Sequence, residues 1–296
     1  MRRISKSAYA DVLLWGCNPG FIVSDDGVLL IDTPQQPIDA VRWRERITDR
    51  FGPIRHLVNT EPHADHIRGN AYFPGVEVIG QEGMVARYHA AIPNMIAPEL
   101  LAQLRQIDQD SVWLFDHPDY PPNPPTRTFA DSLTLHLGQH TIEILHTPGH
   151  TPPQTAVLLA AEGVVFTGDN VFHKCKTYVQ ECDPWELLDT LERIGQLGAD
   201  RIVPGHGEPC GTAYLAEQAR IVQEWVSAVE RLVDRGLTEE EALVEPIDVR
   251  SFDPYPLGQR RWLPGFDVDA QVAHVNRQNV GNLYRRIVAR RSAQQQ

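Results

Sequence analysis

Cysteine, basic residues and long apolar runs are all scarce in this sequence, and each scarcity narrows the class. There are four cysteines, Cys17, Cys175, Cys182 and Cys210, among 296 residues, and no Cys-x-x-Cys pair joins them. Neither a zinc ribbon nor a thioredoxin-like motif is therefore indicated. The four are read as free thiols in a reducing compartment, with Cys175 and Cys182 close enough in the chain to approach each other. Lysine and arginine total 27 against 39 aspartates and glutamates, a formal net charge of -12. That balance argues against nucleic acid and against an anionic membrane as partners, because both need a basic surface. No stretch reaches the ~18 apolar residues of a membrane span. The amino-terminal "MRRISKSAYADVLLWG" is basic but lacks a signal-like apolar run, so a cytoplasmic protein is the expectation. What remains, 42% hydrophobic and 22% charged residues, is enough for a sizeable globular core.

Strand-like and helix-like segments alternate in two similar blocks. Apolar runs bounded by Gly, Asn or Asp open the first: "DVLLWGC", "GFIVS" and "GVLLIDT" read as strands. "QPIDAVRWRERITDRFG" has helical spacing and a terminal glycine. "IRHLVNT" and "VEVIG" are further strands. Residues 81–126 break the pattern, with "QEGMVARYHAAI" and "PELLAQLRQI" as helices and then five prolines within eight residues, 118–125. No regular helix or central strand accommodates that density of proline. The segment is read as an insertion within a single domain spanning 1–296, covering one face as a lid. The second block has strands "LTLHL", "HTIEILHT", "TAVLLAA", "GVVFTGD" and "RIVPGHG". Its helix "DPWELLDTLERIGQLGA" has Asp183 as N-cap and Pro184 at the first position. A helical extension covers about 212–291, with a helix from Thr212 to Arg235 and another near the carboxyl end, and "SAQQQ" is expected to fray.

Four of these strands run into loops that carry His, Asp or Glu. "LVNT" leads into "EPHADH", with Glu61, His63, Asp65 and His66; "IEILHTPG" leads to His150, "VVFTG" to Asp169 and "RIVPG" to His206. Sites in layered α/β folds collect where strand ends converge. Imidazole nitrogens and carboxylate oxygens suit zinc, iron or manganese. The remaining histidines, His56, His89, His117, His136, His140, His173 and His274, lack ligand spacing, and His146 is either a loop residue bonded to backbone or a support for His150.

The ordered set "TEPHADH", "HTPGHT", "FTGD" and "VPGHG" resembles the metallo-β-lactamase superfamily, whose motif is T-H-x-H-x-D-H, over residues 11 to about 210. The resemblance implies an α/β fold, a four-layer αββα sandwich, with two divalent metal ions, zinc first and iron or manganese as alternatives, along one edge of the sheets. It places His63 and His150 on one metal and Asp65, His66 and His206 on the other. Asp169 bridges them, as in glyoxalase II-like members, and Asp32 supports the site from behind. It further implies a hydrolase in which a metal-bound hydroxide attacks a small molecule, with Asp65 and Asp169 as the catalytic carboxylates.

Glu61 departs from the motif, standing where the superfamily has histidine. Glutamate nearly matches histidine in reach, and Pro62 holds Glu61 extended. A buried unpaired carboxylate would be costly, so Glu61 is read as a ligand of the first metal. Glu61, Asp65 and Asp169 then set three negative charges against four on the metals, and one hydroxide makes the shell neutral. The first metal should be a weaker Lewis acid for it, and the preference shifts toward iron or manganese. His173, Lys174 and Tyr178 are candidate substrate contacts.

The substrate expected is a lactone, lactam, amide, ester or thioester, and a homo-oligomer is left open. β-Lactamase and phosphodiesterase-type hydrolysis are alternatives. So is an iron-dependent oxidoreductase of the persulfide dioxygenase kind. A flavodiiron protein fits less well, since its glutamate falls at the second motif position.

Overall fold

The apolar runs assemble into two facing sheets. The computed structural model describes residues 1–116, 123–247, 249 and 267–295. The first sheet holds β1 (Arg2–Arg3), β2 (Ala8–Ala10), β3 (Gly20–Ser24), β4 (Gly27–Ile31), β5 (Ile54–Val58), β6 (Glu77–Gln81) and β7 (Arg127–Phe129), in chain order. The second holds β8 (Ser132–Leu137), β9 (His140–His146), β10 (Thr155–Leu159), β11 (Val164–His173), β12 (Arg201–Gly207) and β13 (Cys210–Gly211), also neighbours in chain order. Pairing is antiparallel from β1 to β4 and parallel from β4 to β7. In the second sheet only β11 and β12 run parallel.

Helices α1 (Pro37–Phe51), α2 (Ala64–Ile67), α3 (Glu82–Met95) and α4 (Pro98–Ile107) follow strands of the first sheet. Helices α5 (Pro184–Gly195), α6 (Tyr214–Asp234), α7 (Glu239–Ala242) and α8 (Val268–Gln294) belong to the second half.

Three apolar layers explain the strand sequences. Ile22, Leu29, Ile31 and Val58 meet Ile142, Ile144, Val157 and Val203 between the sheets. Phe21, Leu30 and Leu57 pack outward against Trp43 and Ile47 of α1. Val165 and Ile202 pack against Leu187 and Leu191 of α5, Trp225 of α6 and Leu283 of α8. Each such side chain contributes roughly 1.5–3 kcal/mol of apolar burial. A strand covered on both faces must be apolar throughout, which is why all five residues of β4 are buried. The result is the αββα sandwich expected from the sequence.

Helix ends follow local chemistry. Asp183 accepts from the backbone N–H groups of Trp185 and Glu186, with Pro184 at the first position of α5. α1 starts at Pro37 and stops at Gly52, whose φ is 97°.

Three details differ from the sequence reading. "DVLLWGC" is a loop, not a strand: Gly16 has φ 92°, and Asn18 Nδ2 ties the chain to the carbonyls of Pro204 and Gly207 at 2.9 and 2.6 Å. Residues 292–294 remain helical, because α8 runs to Gln294. The helix placed at Thr212–Arg235 spans Tyr214–Asp234. Segment 81–126 forms α3, α4 and a 3-10 turn, Gln109–Leu114, between β6 and β7. Most of its proline-rich part, 117–122, lies outside the described residues, as do 250–266 of the carboxyl-terminal extension. Among the described residues no helix is long and apolar enough to cross a membrane.

Candidate metal centre

Strand ends on one edge of the sandwich deliver the site. β4 ends at Ile31, and Asp32 follows in the left-handed region with φ 56°. There its carboxylate turns back under the loop that follows β5. Thr60 donates to it twice, from N to Oδ1 at 2.7 Å and from Oγ1 to Oδ2 at 2.6 Å. His66 Nδ1 lies 2.8 Å from Asp32 Oδ2. The carboxylate thus fixes the ring and leaves His66 Nε2 facing the site, a support commonly found behind metal-bound histidine.

The ligand-type side chains converge from five segments. Glu61 and His63 come from the loop after β5, Asp65 and His66 from α2, His150 from the β9–β10 loop, Asp169 from β11 and His206 from β12. β11 shifts register on both sides of Gly168, the irregularity that brings Asp169 to the edge. A Cβ at Gly205 would overlap Asp169 Oδ1, so glycine is required where β12 passes that carboxylate. Donor atoms of Glu61, His63, His150 and Asp169 form one close group, and those of Asp65, His66 and His206 another. His66 Nε2 and His206 Nε2 lie 3.3 Å from Asp169 Oδ1 and Oδ2 respectively. His206 Nε2 is also 3.2 Å from Asp65 Oδ2. His150 donates from Nδ1 to the Tyr178 carbonyl at 2.9 Å, which leaves its Nε2 facing His63 Nδ1 at 3.3 Å.

Divalent cations fit this donor set. Both carboxylate oxygens of Glu61, His66 Nε2 and Asp169 Oδ1 are buried and make no hydrogen bond. Buried polar atoms are nearly always satisfied; four unsatisfied ones at a single point mark where a ligand belongs. The charges agree. Burial alone would lower the pKa of His63, yet Glu61 and Glu181 hold it well above the usual imidazole value. Burial likewise opposes the charged form of His206, and Asp169 and Asp65 raise it to about 10. Asp169 resists the upward push of burial and stays well below the usual carboxylate range because His206 and His66 face it. Protons on these histidines balance surplus carboxylate, which is the work a metal cation does in their place.

These groups open onto a cleft of about 330 Å³ lined by Trp15, Gly16, Gln35, His63, Ala64, Asp65, Asp169, Tyr178, Gln180, His206 and Gln271. Of the candidate substrate contacts, Tyr178 lines it. His173 and Lys174 do not line it: His173 Nδ1 is 2.6 Å from the Glu208 carbonyl, and the Lys174 N–H donates to Tyr214 Oη at 3.0 Å. His146 stands apart, with Nε2 2.8 Å from the Pro152 carbonyl. The four cysteines are free thiols. Cys17 has its Sγ among the atoms grouped with Asp32 and His66, and burial pushes its thiol pKa up.

Sequence reasoning missed Glu181, Trp15, Gln35, Gln180 and Gln271. Glu181 Oε1 lies 3.5 Å from His63 Nε2, on the ring edge away from Glu61. These residues lie outside the motif loops, so only folding brings Glu181 to His63 and the other four to the cleft.

Fold and site together define an αββα protein with a His/Asp/Glu metal-binding edge. The family is the metallo-β-lactamase superfamily: its profile matches residues 12–206, and the chain belongs to it. The hydroxyacylglutathione hydrolase of Rhodobacter capsulatus is 27% identical over 183 residues, 61% of this chain and 57% of that protein. The "Beta-lactamase-like protein 2 homolog" of Drosophila melanogaster is 38% identical over 204 residues, 67% of this chain and 62% of that one. The linear primary-alkylsulfatase of a Pseudomonas strain is 24% identical over 274 residues, 79% of this chain and 51% of that one. The chain thus spans less than two thirds of the length of each of these relatives. A metallo-β-lactamase family protein from Thermus thermophilus superposes with a TM-score of 0.61 at 22% identity, covering 78% of this chain and 84% of that one, a likeness of fold.

Proposed function

We propose that this chain is a metal-dependent hydrolase of a small molecule, cleaving an ester, thioester, lactone, lactam or amide bond at a dinuclear site. The observation that carries the reading is the cluster of orphaned buried donors of Glu61, His66 and Asp169 beneath an open cleft. Zinc is the first expectation for the two ions, with iron or manganese as alternatives. Ions held there supply positive charge that polarises an electrophilic carbonyl and acidifies water.

The protein's own groups do the rest. His63, His150 and Glu61 would hold one ion and Asp65, His66 and His206 the other, with Asp169 within reach of both groups. Asp65 and Asp169 are the carboxylates that reach the cleft, placed to accept a proton during attack and return it to the leaving group. Trp15 and Tyr178 offer aromatic surface, and the amides of Gln35, Gln180 and Gln271 offer uncharged hydrogen-bonding groups. Gln180 Oε1 is buried without a hydrogen bond and is a ready acceptor for a substrate N–H or O–H. The similarity to hydroxyacylglutathione hydrolases supports acyl hydrolysis.

The test is metal analysis of purified protein, followed by a screen of aryl esters, thioesters, lactones and lactams. Hydrolysis abolished by a chelator and restored by one metal is expected. Oxygen consumption by iron-loaded protein without hydrolysis would place it among the oxidoreductases instead.

A further inference from the structure

Glu61 is not confined to one half of the site. Its Oε2 lies 2.7 Å from His63 Nδ1 and 3.6 Å from His150 Nε2, the pair assigned to the first ion. Its Oε1 lies 3.0 Å from Nε2 of His66, which is assigned to the second. Asp169 divides its oxygens in a related way: Oδ1 is 3.3 Å from His66 Nε2, and Oδ2 is 3.7 Å from His150 Nε2. Donors that share a tetrahedral ion with bonds of ~2.0–2.1 Å stand roughly 3.3 Å apart. The Glu61 contacts fall around that spacing on both sides.

From this, and resting on the dinuclear reading above, we propose that Glu61 is a second bridge, giving one carboxylate oxygen to each ion.

The burial of Glu61 separates this from a terminal role. The residue has no exposed surface, and neither oxygen makes a hydrogen bond. A terminal ligand would use Oε2 and leave Oε1 buried and unsatisfied, a costly state for a carboxylate. The group that faces Oε1 is His66 Nε2, and it cannot both donate a proton there and bind an ion. Its other nitrogen is already held by Asp32. Bridging satisfies both oxygens and leaves His66 Nε2 available. It also gives glutamate a reason to occupy a position that is histidine in the superfamily motif: an imidazole extends one nitrogen into the site, whereas a carboxylate extends two divergent oxygens. Two carboxylate bridges would couple the ions, so the second would bind more readily once the first is in place.

The experiment is titration of the full chain with zinc against a chromogenic chelator, with stoichiometry read by native mass spectrometry. Wild type, Glu61→His and Glu61→Gln are compared, then His150→Ala with and without Glu61→Gln. Folding of each is checked by circular dichroism. Glu61→Gln keeps the side-chain volume if the histidine variant does not fold. The expected result is two ions bound cooperatively by wild type, and stepwise loading by Glu61→His with one ion weakened tenfold or more. In the His150→Ala background, which leaves the Asp65, His66 and His206 site, Glu61→Gln should weaken the remaining ion as well. If that ion is indifferent to Glu61→Gln, and Glu61→His loads two ions as wild type does, the bridge is wrong while the dinuclear reading stands. If wild type itself binds fewer than two ions, both fall.

Discussion

Glu181 stands behind His63, with Oε1 3.5 Å from the ring Nε2 and Oε2 on the guanidinium of Arg87 in α3. The helix inserted between β6 and β7 thereby reaches a ligand through one carboxylate. Burial is overcome here by hydrogen bonding and charge from His63, with Arg87 adding to them, and the Glu181 carboxyl is lowered to about 2. It is therefore an anion across the working range and holds the imidazole in the orientation that points Nδ1 at the site.

Loss of such a support should weaken metal retention more than it weakens the fold. Glu181→Ala is expected to lower the affinity of the ion at His63 by about 10–100-fold, and Arg87→Ala to have a smaller effect in the same direction. Competition with a chelator measures this. Unchanged retention in Glu181→Ala would remove Glu181 from the site.

Asp32 is the corresponding support for His66, and its backbone makes the substitutions informative. At φ 56° asparagine is tolerated and alanine is strained. Asp32→Asn should lower the melting temperature less than Asp32→Ala does, since it avoids the backbone strain, while weakening metal binding by about tenfold or more. Asp32→Ala should lower both. Equal metal affinity in Asp32→Asn and wild type would show that the charge on Asp32 does not matter to His66.

Most of the strands and six of the seven residues that meet at the candidate metal centre were legible because they follow local rules. Short apolar runs bounded by turn residues became β3 to β6 and β8 to β12, and the histidines and aspartates sat at their ends. Glu61 was legible as a departure from a motif, but its position between the two donor groups was not, since that depends on where β11 carries Asp169 and how Asp32 turns His66. The error at 11–17 has a physical cause. Val12 and Leu14 are buried and Leu13 is exposed, as in a strand, yet the left-handed Gly16 diverts the chain across the site and brings Trp15 to the cleft. Glu181, Gln180 and Gln271 come from loop and helix positions whose sequence carries no motif, and only tertiary packing reveals them.

The amino-terminal strands depend on an ionised glutamate. Glu162 accepts from Ser5 Oγ at 2.5 Å and from the Ser7 N–H at 2.8 Å. Burial raises its pKa, but these two serines outweigh it, and the net shift is downward. A carboxyl whose folded value lies below its unfolded one stabilises the fold above the unfolded pKa of about 4.3 and loses that contribution as pH falls through the folded value. The melting temperature of wild type should therefore drop more steeply on acidification than that of Glu162→Gln, and the two should converge at the acid end. Parallel curves would show that the serines bind either form equally.

The strongest test of long-range support lies in α8, beyond the stretch that matches the superfamily. Asn282 Nδ2 donates to the carbonyls of Val179 and Cys182 at 2.6 and 2.8 Å, and Asn279 Oδ1 accepts from the Val179 N–H at 2.9 Å. These bonds grip the segment that holds Tyr178 and Glu181, and through it both histidines assigned to one ion: His150 by the Tyr178 carbonyl and His63 by the Glu181 carboxylate. Asn282→Ala should cost about 1–3 kcal/mol, the penalty for leaving buried carbonyls unsatisfied, read as a shift in denaturant midpoint. It should also weaken the ion at His63 and His150 more than the one at Asp65, His66 and His206, which loses only what its coupling to the first provides. A variant as destabilised but placed elsewhere, Leu133→Ala in β8, should leave both ions at wild-type affinity. If the two variants lose metal alike, α8 acts through global stability and not through the loop it holds.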